Sequence, residues 1–254
     1  MKLKYRTLGE GKPFIILHGL FGSSDNWQSH AKQLANGYKV YLVDQANHGH
    51  AEHVDDCNYD LLADDLLELF AEEGLRDAIL LGHSMGGKTA MRFAQSHAFL
   101  LEKLIVADMG IKAYPRHHDT IFQGLFNVQV ENVPDRKTAE ERLRKFVAEP
   151  STVQFLMKNL YWKEPGKMAW RFNLPVLFDK IDRILEALPQ EKILCETLMI
   201  IGGKSGYVPE SDFKSIQDLI PQVTFDVIPN AGHWVHAEAP SDFMASVNRF
   251  LGIH

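Results

Sequence analysis

Through the first hundred residues, short unbroken apolar runs alternate with segments whose apolar positions recur at helical spacing. Phe14-Ile15-Ile16-Leu17 has no polar break, the pattern of a strand buried on both faces. A glycine-containing turn, His18 to Ser24, leads into a helical stretch over about Asp25 to Leu34, which Asn36-Gly37 ends. Tyr38 to Val43 is the next strand. After a polar loop, Leu61, Leu62, Leu66, Leu69 and Phe70 mark the inner face of an amphipathic helix that stops at Gly74. Ala78 to Leu81 is a strand, Met85 to Gln95 a helix, and Leu104 to Ala107 a strand; the N-terminus, Met1 to Tyr5, also begins like one. Strands separated by helices predict right-handed crossovers and a mostly parallel, doubly wound α/β sheet.

The pattern changes near Gly110. From about Ile111 to Leu188 no strand of comparable strength appears, and helices are expected over about Asp119 to Asn127, Asp135 to Ala148, Ser151 to Tyr161 and Pro175 to Ala187. Alternation resumes with a strand at Thr197 to Ile201, a helix at Ser211 to Leu219, a strand at Val223 to Ile228 and a closing helix at Pro240 to Phe250. The expected division is a sheet domain of residues 1–110 and 189–254 interrupted by a helical cap, 111–188.

Composition narrows the function classes. The 254 residues are 45% hydrophobic and 24% charged, an ordinary globular balance. A net charge of −6 disfavours a nucleic-acid or anionic-membrane partner, since both require clustered positive charge. Cys57 and Cys195 fit no metal-ligand spacing and read as reduced thiols of an intracellular protein. No apolar run reaches the length of a signal core or a membrane span, so a cytoplasmic location is expected.

Gly82-His83-Ser84-Met85-Gly86 has the form G-x-S-x-G. Alone, such a pattern arises by chance in roughly one chain in ten of this length. Here it follows a strong strand and opens a helix, the setting of a nucleophile elbow that lifts a serine hydroxyl above the sheet. A serine nucleophile needs amide donors for its oxyanion. Met85, after the nucleophile, and Leu20, in the loop after the first buried strand, are the expected pair, with Phe21 second to Leu20. The base must come late in the chain, and His233 in Ala231-Gly232-His233-Trp234 suits it better than His236. The usual loop for the acid, Gly202 to Pro209, has no carboxylate. Asp108, at the end of the neighbouring strand, is therefore expected to orient His233, with Glu210 or Asp212 as alternatives.

Phe21, Trp162 and Trp234 are expected to meet substrate. Other aromatics of the 111–188 block, including Phe122, Phe126, Phe155 and Tyr161, could wall an acyl pocket or pack a core. Arg116-His117-His118-Asp119 reads as cap surface, Asp44 as a tie between loop and sheet, and Lys88 as solvated or paired.

Taken together, HGLFGS, Asp44 to Gly49, GHSMGGK from Gly82 to Lys88, the strand end at Asp108 and NAGHWVHAE from Asn230 to Glu238 resemble the YbfF-type esterases of the α/β-hydrolase superfamily. The resemblance runs through nearly the whole chain, including Trp170 to Pro175. It implies cofactor-free and metal-free hydrolysis of a small-molecule carboxylic ester or acyl thioester, with the acid after the strand that ends at Asp108. One departure is Ala46, where relatives often carry Arg before the Asn. Two other functions share these residues: a hydrolase of C–C bonds with the same triad, and a binding protein that keeps the triad without turnover.

Overall fold

A computed structural model describes residues 3–253; Met1, Lys2 and His254 lie outside the described residues, as does the first part of the expected N-terminal strand. The chain runs through β1 (Lys4–Leu8), β2 (Lys12–Leu17), β3 (Tyr38–Asp44), β4 (Ala78–His83), β5 (Leu101–Ala107), β6 (Leu160–Glu164), β7 (Lys167–Trp170), β8 (Glu196–Gly202) and β9 (Val223–Ile228). Seven of these make one sheet in the order β1-β3-β2-β4-β5-β8-β9. Only β1 is antiparallel to its neighbour; the other pairs are parallel. The helices are α1 (Gln28–Leu34), α2 (Tyr59–Glu72), α3 (Met85–His97), α4 (Asp119–Val128), α5 (Arg136–Leu143), α6 (Pro150–Met157), α7 (Leu174–Asp179), α8 (Ile181–Leu185), α9 (Phe213–Leu219), α10 (Val235–Glu238) and α11 (Pro240–Leu251).

The unbroken apolar runs have the physical cause that their pattern implied. Successive side chains of a strand point to opposite faces. Ile15 and Leu17 pack with Leu66, Phe70 and Phe93 on one side of the sheet, while Phe14 and Ile16 pack with Trp27, Phe243 and Val247 on the other. Burying each such side chain is worth about 1.5–3 kcal/mol, so both faces hold the central strands in register. Side-chain caps start three helices where polar residues precede them: Asn58 accepts from the Leu61 amide, Asp135 from Thr138, and Glu149 from Thr152.

Residues 111–188 leave the sheet between β5 and β8. Their ends close on each other, with the Leu188 amide donating to the Ile111 carbonyl at 2.9 Å and the Tyr114 amide to Leu185 at 2.8 Å. The block is not helical throughout. Leu160–Glu164 and Lys167–Trp170 form an antiparallel hairpin where the sequence pattern had suggested the end of a helix. Burial runs out along β6 toward the hairpin tip, which is why Trp162 stands 49% exposed.

Lys88, expected to be solvated or paired, is wholly buried, and its partners are backbone carbonyls rather than a charged side chain. Its Nζ donates to the backbone carbonyls of Lys112, at 2.9 Å, and Glu186, one at each end of the inserted block. The rings of Tyr59 and Tyr114 lie within 5.6 and 5.1 Å. Burial lowers its pKa to about 8, so these contacts are what keep an ammonium there. Lys88→Met keeps the chain length but leaves two part-buried carbonyls without their donor. It should cost about 2 kcal/mol, read as a lower urea midpoint with an unchanged slope. A midpoint equal to or above that of the native chain would contradict this reading.

Candidate active site

Ser84 sits between β4 and α3 with φ 53° and ψ −119°, a conformation that costs a non-glycine residue free energy. The turn is tight enough to demand glycine on both sides. A Cβ on Gly82 would lie 2.1 Å from the Gly86 carbonyl oxygen, and one on Gly86 would lie 2.5 Å from the carbonyl oxygens of Leu17 and His18. Because Ser84 stands at the start of α3, the helix dipole favours negative charge beside it.

The structure brings three of the expected residues together at the carboxyl ends of the parallel strands. His233 Nε2 is 2.9 Å from Ser84 Oγ, and His233 Nδ1 is 2.8 Å from Asp108 Oδ2. With the proton on Nδ1, the imidazole donates to the carboxylate and can accept from the hydroxyl. Asp108 is fully buried. The Gly202 amide donates to its Oδ1 at 3.0 Å, and the Ser205 hydroxyl donates to Oδ2. These donors satisfy a buried carboxylate that would otherwise be costly. The alternatives stand apart: Glu210 is exposed on a short turn, and Asp212 pairs with Lys112 at 2.6 Å.

Several residues that hold His233 were given no role by the sequence. The Tyr207 ring stacks on the imidazole, with centroids 3.9 Å apart and planes 13° from parallel. Tyr207 in turn is fixed by its hydroxyl, 2.6 Å from His117 Nε2, and by its carbonyl, which accepts from Tyr114 at 3.0 Å. Burial and the nearby Asp108 charge push its phenol up to about 12. His83 Nε2 lies 2.9 Å from the His233 carbonyl oxygen. Glu238 accepts from the Gly232 and Trp234 amides, at 2.8 and 3.2 Å, and so brackets the histidine from both sides.

Gly19 lets the loop after β2 approach Ser84, since a Cβ there would lie 3.1 Å from Ser84 Cβ. That approach carries Leu20 to the rim of a cavity of about 280 Å³ with Ser84 in its wall. Phe21, at φ 60°, and Trp234 also line it, as do Ile121, Phe155 and Leu156 from the inserted block. Trp162 does not line it and is corrected here to a surface residue of the hairpin. Of the other expected wall aromatics, Phe155 faces the cavity; Phe122 instead backs Phe21 at 5.3 Å. His118 lies just before α4 rather than on a solvated helix face, and it lines the cavity. Burial, with His117 and His233 nearby, lowers its pKa to about 3. Asp44 ties its loop as expected, accepting from the Ser24 and His50 amides at 2.6 and 2.9 Å, and the departure at Ala46 leaves that loop intact. Among the described residues no cluster of three or more His, Cys, Asp or Glu could hold a metal ion, and no helix is long and apolar enough to cross a membrane.

Residues 12–240 match the family model described as alpha/beta hydrolase fold. The chain belongs to this family. As an α/β hydrolase it is 39% identical to the mouse (Mus musculus) protein named sn-1-specific diacylglycerol lipase ABHD11 over 247 residues, which span 93% of this chain and 80% of that one. It is 34% identical to the Escherichia coli protein named Esterase YbfF, over 94% of this chain and 92% of the other. A solved structure described as a marine microorganism esterase superposes with a TM-score of 0.95 at 36% identity, covering 98% of this α/β hydrolase and 99% of its counterpart.

Proposed function

We propose that this α/β hydrolase cleaves small to medium carboxylic esters, and acyl thioesters by the same step, through an acyl-enzyme at Ser84. The observation that carries this reading is the run of contacts from Ser84 Oγ to His233 Nε2, 2.9 Å, and from His233 Nδ1 to Asp108, 2.8 Å, at the wall of a cavity. The names of the relatives favour ester bonds over C–C bonds.

In this mechanism Ser84 Oγ bonds to the carbonyl carbon as its proton passes to His233 Nε2. The oxyanion is received by the amides of Met85 and Leu20. The intermediate collapses as the proton passes from His233 to the departing alcohol or thiol. Water, activated by the same imidazole, then releases the acid and restores Ser84. Asp108 stays ionised throughout, holding the tautomer and balancing the imidazolium. Residues 111–188 act as a cap that selects substrate, since Ile121, Phe155 and Leu156 form one wall of the cavity. Both cysteines are free and buried, in keeping with a reducing compartment.

The cavity volume of about 280 Å³ lies just below the usual range for ligand pockets, about 300–1,000 Å³. Among p-nitrophenyl esters from acetyl to palmitoyl, kcat/KM should therefore peak at short to medium chains and fall by about tenfold or more at the longest. Absence of turnover across the whole series would remove the ester-hydrolase reading.

A further inference from the structure

A second cavity, of about 540 Å³, lies against the inserted block, one helical turn along α4 from the first. Ile121 lines the cavity at Ser84, and Leu125 lines the second. The walls of the second are mostly apolar, with Phe126, Val130, Ala169, Trp170 and Leu174 among them. The two cavities share no lining residue, but two rings in contact bridge the gap between them. Phe21 lines the first and Phe172 the second, and their ring centroids are 5.1 Å apart. That is packing distance for aromatic rings and leaves no passage between the pair. Phe122 also backs Phe21, at 5.3 Å, but it lines neither cavity. Phe172 is therefore the backing ring with open space beyond it.

Both rings are pinned through their backbones. Phe21 takes φ 60°, unfavourable for a bulky side chain, and such strain persists only where the surroundings over-determine it. Here the Phe21 carbonyl accepts from Asn159 Nδ2 at 2.8 Å. Asn159 fixes the other ring as well, since its own carbonyl accepts from the Arg171 amide at 2.9 Å, just before Phe172. Just after Phe172, the Asn173 amide donates to the Asn47 carbonyl at 2.9 Å, and Asn173 Nδ2 donates to Asn47 Oδ1 at 3.0 Å. The Phe172 ring also stacks on Trp170, with centroids 5.4 Å apart and planes 9° from parallel. Asn159 and Asn47 thus clamp the pair from the inserted block and from the loop after β3.

We propose that Phe172, acting through Phe21, is the stop that limits acyl length, and that the cavity behind it holds the distal part of a longer chain once the ring is removed. The inference rests on the ester-hydrolase reading above and adds what sets its chain-length limit. An acyl group on Ser84 runs along Leu20, Phe21 and Ile121 and meets the partition. Each methylene that passes it exchanges water for an apolar wall. The second cavity suits an uncharged hydrocarbon tail: its lining includes the carboxylate of Glu131 and no lysine or arginine.

The test compares kcat/KM for p-nitrophenyl laurate and p-nitrophenyl butyrate. Phe172→Ala should raise the laurate-to-butyrate ratio by about tenfold or more, because several methylenes gain an apolar site. Ala169→Phe places a ring in the second cavity from a half-buried strand position. Alone it should leave the native ratio unchanged, since the native chain keeps substrate out of that cavity. Combined with Phe172→Ala it should abolish the gain. No gain in Phe172→Ala, or a gain that survives Ala169→Phe, overturns the proposal. If Phe172→Ala does not fold, Phe172→Leu is read in its place, with a rise of about threefold expected from the smaller opening. Affinity for laurate, measured by ligand-observed NMR on Ser84→Ala with and without Phe172→Ala, needs no turnover. Tighter binding without the Phe172 ring supports the partition even if the native chain hydrolyses neither ester, an outcome that would count against the ester-hydrolase reading alone. Equal binding overturns the partition whatever the turnover.

Discussion

Ser84→Ala should lower kcat for p-nitrophenyl butyrate by about 10⁶-fold, the scale on which loss of a triad serine acts. The size of the effect follows from the chemistry. Without Oγ no covalent acyl intermediate forms, and His233 Nε2 loses the proton it is placed to accept at 2.9 Å. Rate from the oxyanion donors and from binding remains, so the variant should still exceed water. The fold should tolerate the change, because the elbow is shaped by Gly82 and Gly86 rather than by the serine hydroxyl. Thermal unfolding of the variant close to that of the native chain, together with the loss of turnover, is the expected pair of results. Retention of more than a small fraction of kcat would mean that another group attacks the carbonyl.

Asp108→Asn should lower kcat by about 10⁴-fold while leaving substrate binding little changed. The carboxylate accepts from His233 Nδ1 at 2.8 Å, from the Gly202 amide and from the Ser205 hydroxyl. An asparagine placed there keeps the shape, but its amide nitrogen is a donor facing two donors. The imidazole would turn to the wrong tautomer, and the imidazolium formed during attack would have no counter-charge. Glu210→Gln is the control, since Glu210 is exposed on the short turn that follows Gly202 to Pro209. A crippled Glu210 variant beside an active Asp108→Asn would reverse the assignment.

Most of the sheet was legible because its central strands are buried on both faces and so appear as unbroken apolar runs. Ser84 and Asp108 were legible because each follows such a run, and His233 because it lies late in the chain between the last strand and the closing helix; their chain order and strand ends place them on one edge. What escaped was of three kinds. The hairpin of Leu160–Glu164 and Lys167–Trp170 is short and fades into solvent at its tip, so its alternation is too weak to compete with the helical pattern before it. The supports of His233 are long-range: Tyr207 and Ser205 lie in what reads as a polar turn, and Glu238 stands only as the last residue of a motif, with nothing local to give it a partner. Their roles depend on where β8 and the last loop meet, which no local pattern states. Lys88 failed for a third reason. Its burial is set by two carbonyls at the distant ends of the inserted block, partners that its own helix does not reveal.

The central claim, that Ser84 is a nucleophile activated by His233, is tested most directly by labelling with a fluorophosphonate and mapping the adduct by peptide mass spectrometry. One adduct per chain, on the peptide carrying Ser84, lost in Ser84→Ala and strongly slowed in His233→Ala, is the predicted result. An adduct on any other residue, or undiminished labelling of the Ser84→Ala variant, would contradict it.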